Sequence, residues 1–184
     1  MQKILNLPMP NRKVKLWFNE LPDIELMDNF TETIVSTDCT EDILLQKCAI
    51  ELTNPLHASN YGLLGLVYTP KYDKHDVEII VSYADKNKKL YDETISHNKS
   101  TVYIGLPKEY VDCILDTAKD YIVNKNNIPA GILNFKVAAN CEVGSSINIF
   151  KRLAEILLDM MQVDFESISD GELTDIILST VVKR

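Results

Sequence analysis

No apolar run in the 184-residue chain approaches the roughly 20 residues needed to span a bilayer, so no membrane partner is expected. The four cysteines, Cys39, Cys48, Cys113 and Cys141, are widely spaced and form no CxxC pair. That removes the paired-thiol metal and redox motifs and favours free thiols in a reducing compartment. The three histidines, His57, His75 and His97, fall in loop-like contexts without HxH or HExxH spacing. No metal and no cofactor is therefore expected. GxSxG is missing too, so no serine nucleophile announces itself. No lysine- or arginine-rich block offsets the net charge of -8, which disfavours duplex DNA as a partner. The opening MQKILNLPMPNRK is broken by Pro8 and Pro10, too early for the continuous apolar core of a signal peptide. A cytoplasmic protein is the expectation.

What is present is the mix of an ordinary globular chain, 46% apolar and 25% charged, with length for one well-packed domain and a small addition. The acidic balance suits a basic protein partner, leaves a local RNA contact open, and also serves solubility alone.

Along the chain, Val14, Leu16 and Phe18 alternate with Lys15, Trp17 and Asn19, which predicts a short strand with Trp17 on its other face. Leu21-Pro22-Asp23 reads as a turn, and Thr33 to Thr37 as a further strand. Thr40 can cap a helix beginning at Glu41, with Ile43, Leu44, Lys47, Cys48 and Leu52 as its stripe. Gly62 to Thr69, Val77 to Tyr83, Leu90 to Ile95 and Thr101 to Ile104 predict an antiparallel meander, because short connections favour antiparallel neighbours. Residues 1–55 then form an N-terminal extension packed on a main domain of residues 56–184.

The second half is clearer. Val111, Ile114, Leu115, Ala118 and Ile122 recur at helical steps. Phe135, Val137, Ala139, Cys141 and Val143 alternate with Asn134, Lys136, Ala138, Asn140 and Glu142, the period of a strand. Ser145 and Ser146 introduce a helix from about Ile147 to Met161, carrying Phe150, Leu153, Ala154 and Leu157 on one side. Ser169-Asp170-Gly171-Glu172 has capping-box spacing and opens a C-terminal helix over residues 170–183. Val111, Ile114, Leu115, Ala118, Phe135, Val137, Phe150, Leu153 and Leu157 are expected to share one core.

Leu106-Pro107-Lys108-Glu109-Tyr110, the run from Gly131 to Val143, the turn Val143-Gly144-Ser145-Ser146 and Phe150-Lys151 follow one another in a helix–strand–helix order. This segment, residues 105–161, resembles domain IV of translation elongation factor G and of the ribosomal protection proteins. The resemblance implies an α+β fold, an antiparallel or mixed sheet covered by helices, with a left-handed βαβ crossover. In that family a basic, glycine-rich tip loop ending near Tyr-Gly-His enters the ribosomal decoding region. Here Asn60-Tyr61-Gly62 is followed by Leu63, the preceding Leu56-His57-Ala58-Ser59 has no lysine or arginine, and no GxxxxGK(S/T) occurs. The resemblance therefore carries fold further than activity.

Six of the eight tyrosines, Tyr61, Tyr68, Tyr72, Tyr83, Tyr91 and Tyr103, fall in the strand-rich region. Tyrosine favours strands in any case, yet on an open sheet it also anchors protein partners or stacks bases. Tyr61, Tyr68, Tyr83, Tyr91 and Tyr103 are the candidate binding residues. Ser145 and Ser146, at a helix start able to hold an anion, join them. Three functions stay open: a non-catalytic binding or accessory protein acting through a protein interface, a translation-associated factor touching the ribosome, and a small enzyme with a dispersed site.

Overall fold

The structure is a computed structural model and describes residues 1–8, 12–24, 29–53, 61–84, 89–96 and 101–182. Eight strands lie within them: β1 (Gln2–Asn6), β2 (Lys13–Phe18), β3 (Asn29–Ser36), β4 (Lys47–Thr53), β5 (Gly62–Pro70), β6 (Asp76–Tyr83), β7 (Val102–Ile104) and β8 (Gly131–Cys141). They form one mixed sheet in the order β1-β2-β4-β5-β8-β6-β3, with β7 also paired to β8. Helices α1 (Val111–Lys125), α2 (Ile147–Met160) and α3 (Asp170–Val182) complete an α+β architecture.

Local chemistry explains the helix limits. The left-handed Asn126, at φ 45°, ends α1 by donating its N–H to the Ile122 carbonyl. Ser146 accepts a bond from the Ile149 N–H and so caps α2. At α3 the Glu172 N–H donates to Ser169 Oγ at 3.3 Å, and the Ser169 N–H returns a bond to the Glu172 carboxylate at 2.9 Å. These bonds satisfy backbone donors that a helix start otherwise leaves unpaired.

All strand pairs are antiparallel except β6 and β8. The expected meander is therefore corrected: β8 separates β5 from β6, antiparallel to one and parallel to the other. The chain reaches that parallel position through β7 and α1, since a parallel pair needs a long crossover. Leu90 to Ile95 is not a strand. Only Leu90 makes a bridge, to Tyr103.

The expected helix over Glu41 to Leu52 is also overturned, because Lys47–Thr53 is β4. Cys48, Ile50 and Leu52 face the helices, while Ala49, Glu51 and Thr53 face away, and all six are buried. A strand buried on both faces loses its alternation, and its apolar run imitates a helical stripe. The strands before Thr53 are integral to the sheet: β1, β2 and β4 continue from β5, and β3 closes the far edge on β6.

The helices cover one face. Leu16, Ile50, Leu64, Leu66, Ile79 and Phe135 meet Ile114, Phe150, Leu153 and Leu157 in a single cluster. Val137 is buried but lies outside it. The register explains why. Gly65 pairs with Val137 but Leu66 with Phe135, leaving Lys136 as an extra residue on β8. This bulge reverses the strand's phase. Leu133 and Phe135 face the helices before it, whereas Ala139 and Cys141 join a smaller cluster on the opposite face after it. Val143, expected to continue the inward row, lies beyond the strand end and is exposed.

Gly65 sits opposite the bulge because a β-carbon there would run into Cγ2 of Val137 and lie 3.0 Å from the Ala49 β-carbon. Gly65→Ala is expected to destabilise by about 1–3 kcal/mol. In urea melts, adding Val137→Ala should return part of that loss, whereas purely additive losses would mean the two sites are not in contact. Leu153, fully buried and packed where a Gly62 β-carbon would be, should cost about 2–5 kcal/mol when changed to alanine. A shift under about half a kcal/mol would contradict its placement in the core.

Candidate functional site

The face away from the helices is finished unevenly. Near the start of β5 it carries Trp17, Ala49, Tyr61, Leu63, Tyr91, Val102, Ala139 and Cys141, with Leu21, Ile24 and Ile104 packed on them. The chain leaving β2 lays Leu21 over this face, and residues 91–96 form a second cover. Beneath that cover β4 places Glu51, whose side chain is fully buried.

Glu51 Oε1 accepts three hydrogen bonds: from Tyr61 Oη at 3.0 Å, Thr94 Oγ1 at 2.5 Å and the Ile95 N–H at 3.1 Å. Its Oε2 is enclosed and has no hydrogen-bond partner among the described residues, and the same holds for Tyr91 Oη. Burial pushes the Glu51 pKa up, and it outweighs the three bonds and the Lys15 charge, which pull it down. Lys15 stands opposite Glu51 in the β2–β4 register, with its ammonium 4.7 Å from the centre of the Trp17 ring. The phenol of Tyr61 is pushed well above its ordinary value, first by burial and then by Glu51. The cluster is a carboxyl biased toward its neutral form that pins the 91–96 segment to the sheet.

Ser145 lies near the same end. Its Oγ donates to the Tyr61 carbonyl at 2.8 Å and accepts from the Cys141 N–H at 2.9 Å. Ser146 is the α2 cap. Both serines are thus occupied in holding β5, β8 and α2 together. The tyrosines form no shared open platform. Tyr61 and Tyr91 are buried, and Tyr68 is buried at the far end of β5, donating to the Ala130 carbonyl at 2.9 Å. Tyr83 is half-buried with the Lys108 ammonium 5.7 Å from its ring, and Tyr103 is half-buried on β7. Only Tyr72, which was not among the binding candidates, stands clear of the surface.

His57, His97 and the loop residues 56–60, tied by resemblance to ribosome contact, lie outside the described residues. His75 is exposed in the turn between β5 and β6. It lines a groove of about 330 Å³ together with Cys39, Asp42, Tyr68, Tyr72 and Lys74. The four cysteines are free thiols. Among the described residues no group of three or more His, Cys, Asp or Glu side chains is placed to hold a metal. No helix among them is long and apolar enough to cross a membrane.

Among the described residues, no helix lies over the other half of this face. Pairing across β5, β8, β6 and β3 aligns Val67, Ile132, Asn134, Ile80, Glu78, Phe30, Glu32 and Ile34 there. Val67, Ile80 and Ile132 are half-buried. Phe30 and Ile34 are 60% and 65% exposed. Asn134 Oδ1 is enclosed and has no hydrogen-bond partner among the described residues. β3 pairs only with β6, so among the described residues no strand pairs with its outer edge. Sequence reasoning missed this surface because it rests on which strand ends the sheet, although Phe30 and Ile34 alternating with Thr31 and Thr33 was the available signal.

Comparison with known proteins finds no family model that matches the chain, and no similar curated protein or solved structure.

Burial of Glu51 gives the fold a pH dependence of defined sign. The folded-state pKa lies above the ordinary 4.5. Between the two values the folded protein holds more protons than the unfolded one, so stability falls as pH rises through the raised value. Below pH 4.5 that contribution is fully present. Glu51→Gln has no such titration. Urea melts across a pH series should show wild type losing stability relative to Glu51→Gln as pH rises, and parallel curves would contradict the assignment.

Proposed function

We propose that the chain is a non-catalytic binding protein that takes a protein partner on the open half of its sheet, at the outer edge of β3. The observation that carries this reading is the pair Phe30 and Ile34, both large, apolar and largely exposed on an edge strand of eight residues. Edge strands are normally blunted by lysine, proline, a bulge or a cover, because their free N–H and C=O groups invite another strand. β3, Asn-Phe-Thr-Glu-Thr-Ile-Val-Ser, carries no lysine or proline, its one charge is Glu32, and its register with β6 runs without a shift. The opposite edge is different. β1 is five residues long, and its Lys3 is paired with Asp170 at 2.6 Å.

The expected use of tyrosines as anchors is replaced by this pair, since Tyr61, Tyr68 and Tyr91 are occupied inside the fold. The likeness of residues 105–161 to elongation factor G domain IV stays within this reading as a proposal about fold. The order α1, β8, α2 and the parallel pair β6–β8 support it.

The reading is tested by affinity capture from the native host with quantitative mass spectrometry. Ile34→Lys, a surface change, is expected to lower recovery of the specific partner by about tenfold or more, the effect of losing an interface anchor. Tyr61→Phe should leave recovery unchanged. Recovery insensitive to Ile34→Lys would place the interface elsewhere.

A further inference from the structure

The open edge also specifies what kind of strand it takes, an inference that rests on the strand-addition reading above. On the uncovered face β3 presents Phe30, Glu32 and Ile34 in a row, two residues apart, with Glu32 exposed between the two apolar side chains. Directly opposed residues of an antiparallel pair lie on the same face with β-carbons about 4.5–5.5 Å apart, so each residue of β3 selects the one facing it. Apolar side chains complement Phe30 and Ile34. A lysine or arginine complements Glu32, and the neighbouring Asp76 and the net charge of -8 favour the same sign, whereas Glu78 is already paired with Lys71 at 2.9 Å.

A second copy of the chain fits this row poorly. The two-fold antiparallel register that sets Phe30 against Ile34 of another copy is centred on Glu32, and it brings the two Glu32 carboxylates face to face. Shifting the centre to Thr33 keeps the faces matched but sets Glu32 against Ile34 and Phe30 against Ser36. Glu32 therefore acts as a guard against self-pairing while leaving the edge open to a strand of opposite charge.

We infer that the partner of this edge is an extended protein segment with an apolar–x–basic–x–apolar pattern, its basic residue paired with Glu32.

Two fluorescein-labelled decapeptides test this by anisotropy. Both carry valines four positions apart and threonine or serine elsewhere, with lysine midway between the valines in one and glutamate in the other. Wild type is expected to bind the lysine peptide roughly fivefold more tightly than the glutamate peptide, from one favourable against one like-charge cross-strand pair. Glu32→Lys should invert the order. Equal binding of both peptides to both proteins, lost in Ile34→Lys, would overturn the charge rule and leave strand addition standing. No binding of either peptide to either protein would remove strand addition itself. Sedimentation of wild type as a dimer that Ile34→Lys dissociates would make the occupant a second copy and overturn the inference.

Discussion

The pairing of β8 on both sides is the constraint on which the rest of the molecule depends. One strand must satisfy β5 antiparallel and β6 parallel at once, and its end must also carry β7. The parallel partner forces the α1 crossover, and α1 with α2 then closes the main core. The bulge at Lys136 lets the same strand feed both faces, with Phe135 under the helices and Ala139 under the Glu51 cover. Gly65 exists where it does to admit Val137 at that switch.

From this follows the asymmetry of the second face. After the bulge β8 contributes small or short side chains, and a thin layer made of Leu21, Ile24 and residues 91–96 is enough to cover them. Tyr91, Leu21 and Ile24 hold that layer by apolar packing, and Glu51 adds hydrogen bonds to Thr94 and Ile95, which makes that part of the hold sensitive to the ionisation of one carboxyl. Before the bulge the same face carries Ile132 and Asn134 and continues across β6 to Phe30 and Ile34, with no helix above it among the described residues. The covered half is a structural element, and the open half is the surface we propose for a partner.

The helices and β8 were legible because each is long enough to show its period and is marked by a local device, such as the Ser146 cap or the Ser169–Glu172 box. Trp17 on the far side of its strand was legible for the same reason, with Val14, Leu16 and Phe18 filling the core. β4 was not, since Cys48 to Thr53 is buried on both faces and shows no alternation. The meander failed because adjacency in sequence carries no information about a later strand inserting between two earlier ones. Glu51 was invisible as a site: a single glutamate in an apolar strand becomes notable only when Tyr61, Thr94 and Ile95, far away in sequence, converge on it. Tyr61, Tyr68 and Tyr91 lie inside the fold, and propensity places tyrosine in strands whichever face the strand presents.

Amide hydrogen exchange across β3 tests the central claim most directly. In the isolated protein the β3 amides that point away from β6 should exchange rapidly, while those bonded to β6 are protected. Adding the lysine-bearing decapeptide should protect the outward amides of Asn29–Ser36 and leave those of β1 unchanged. Outward amides already protected without peptide, or protection appearing only at β1 or the 91–96 segment, would contradict the account.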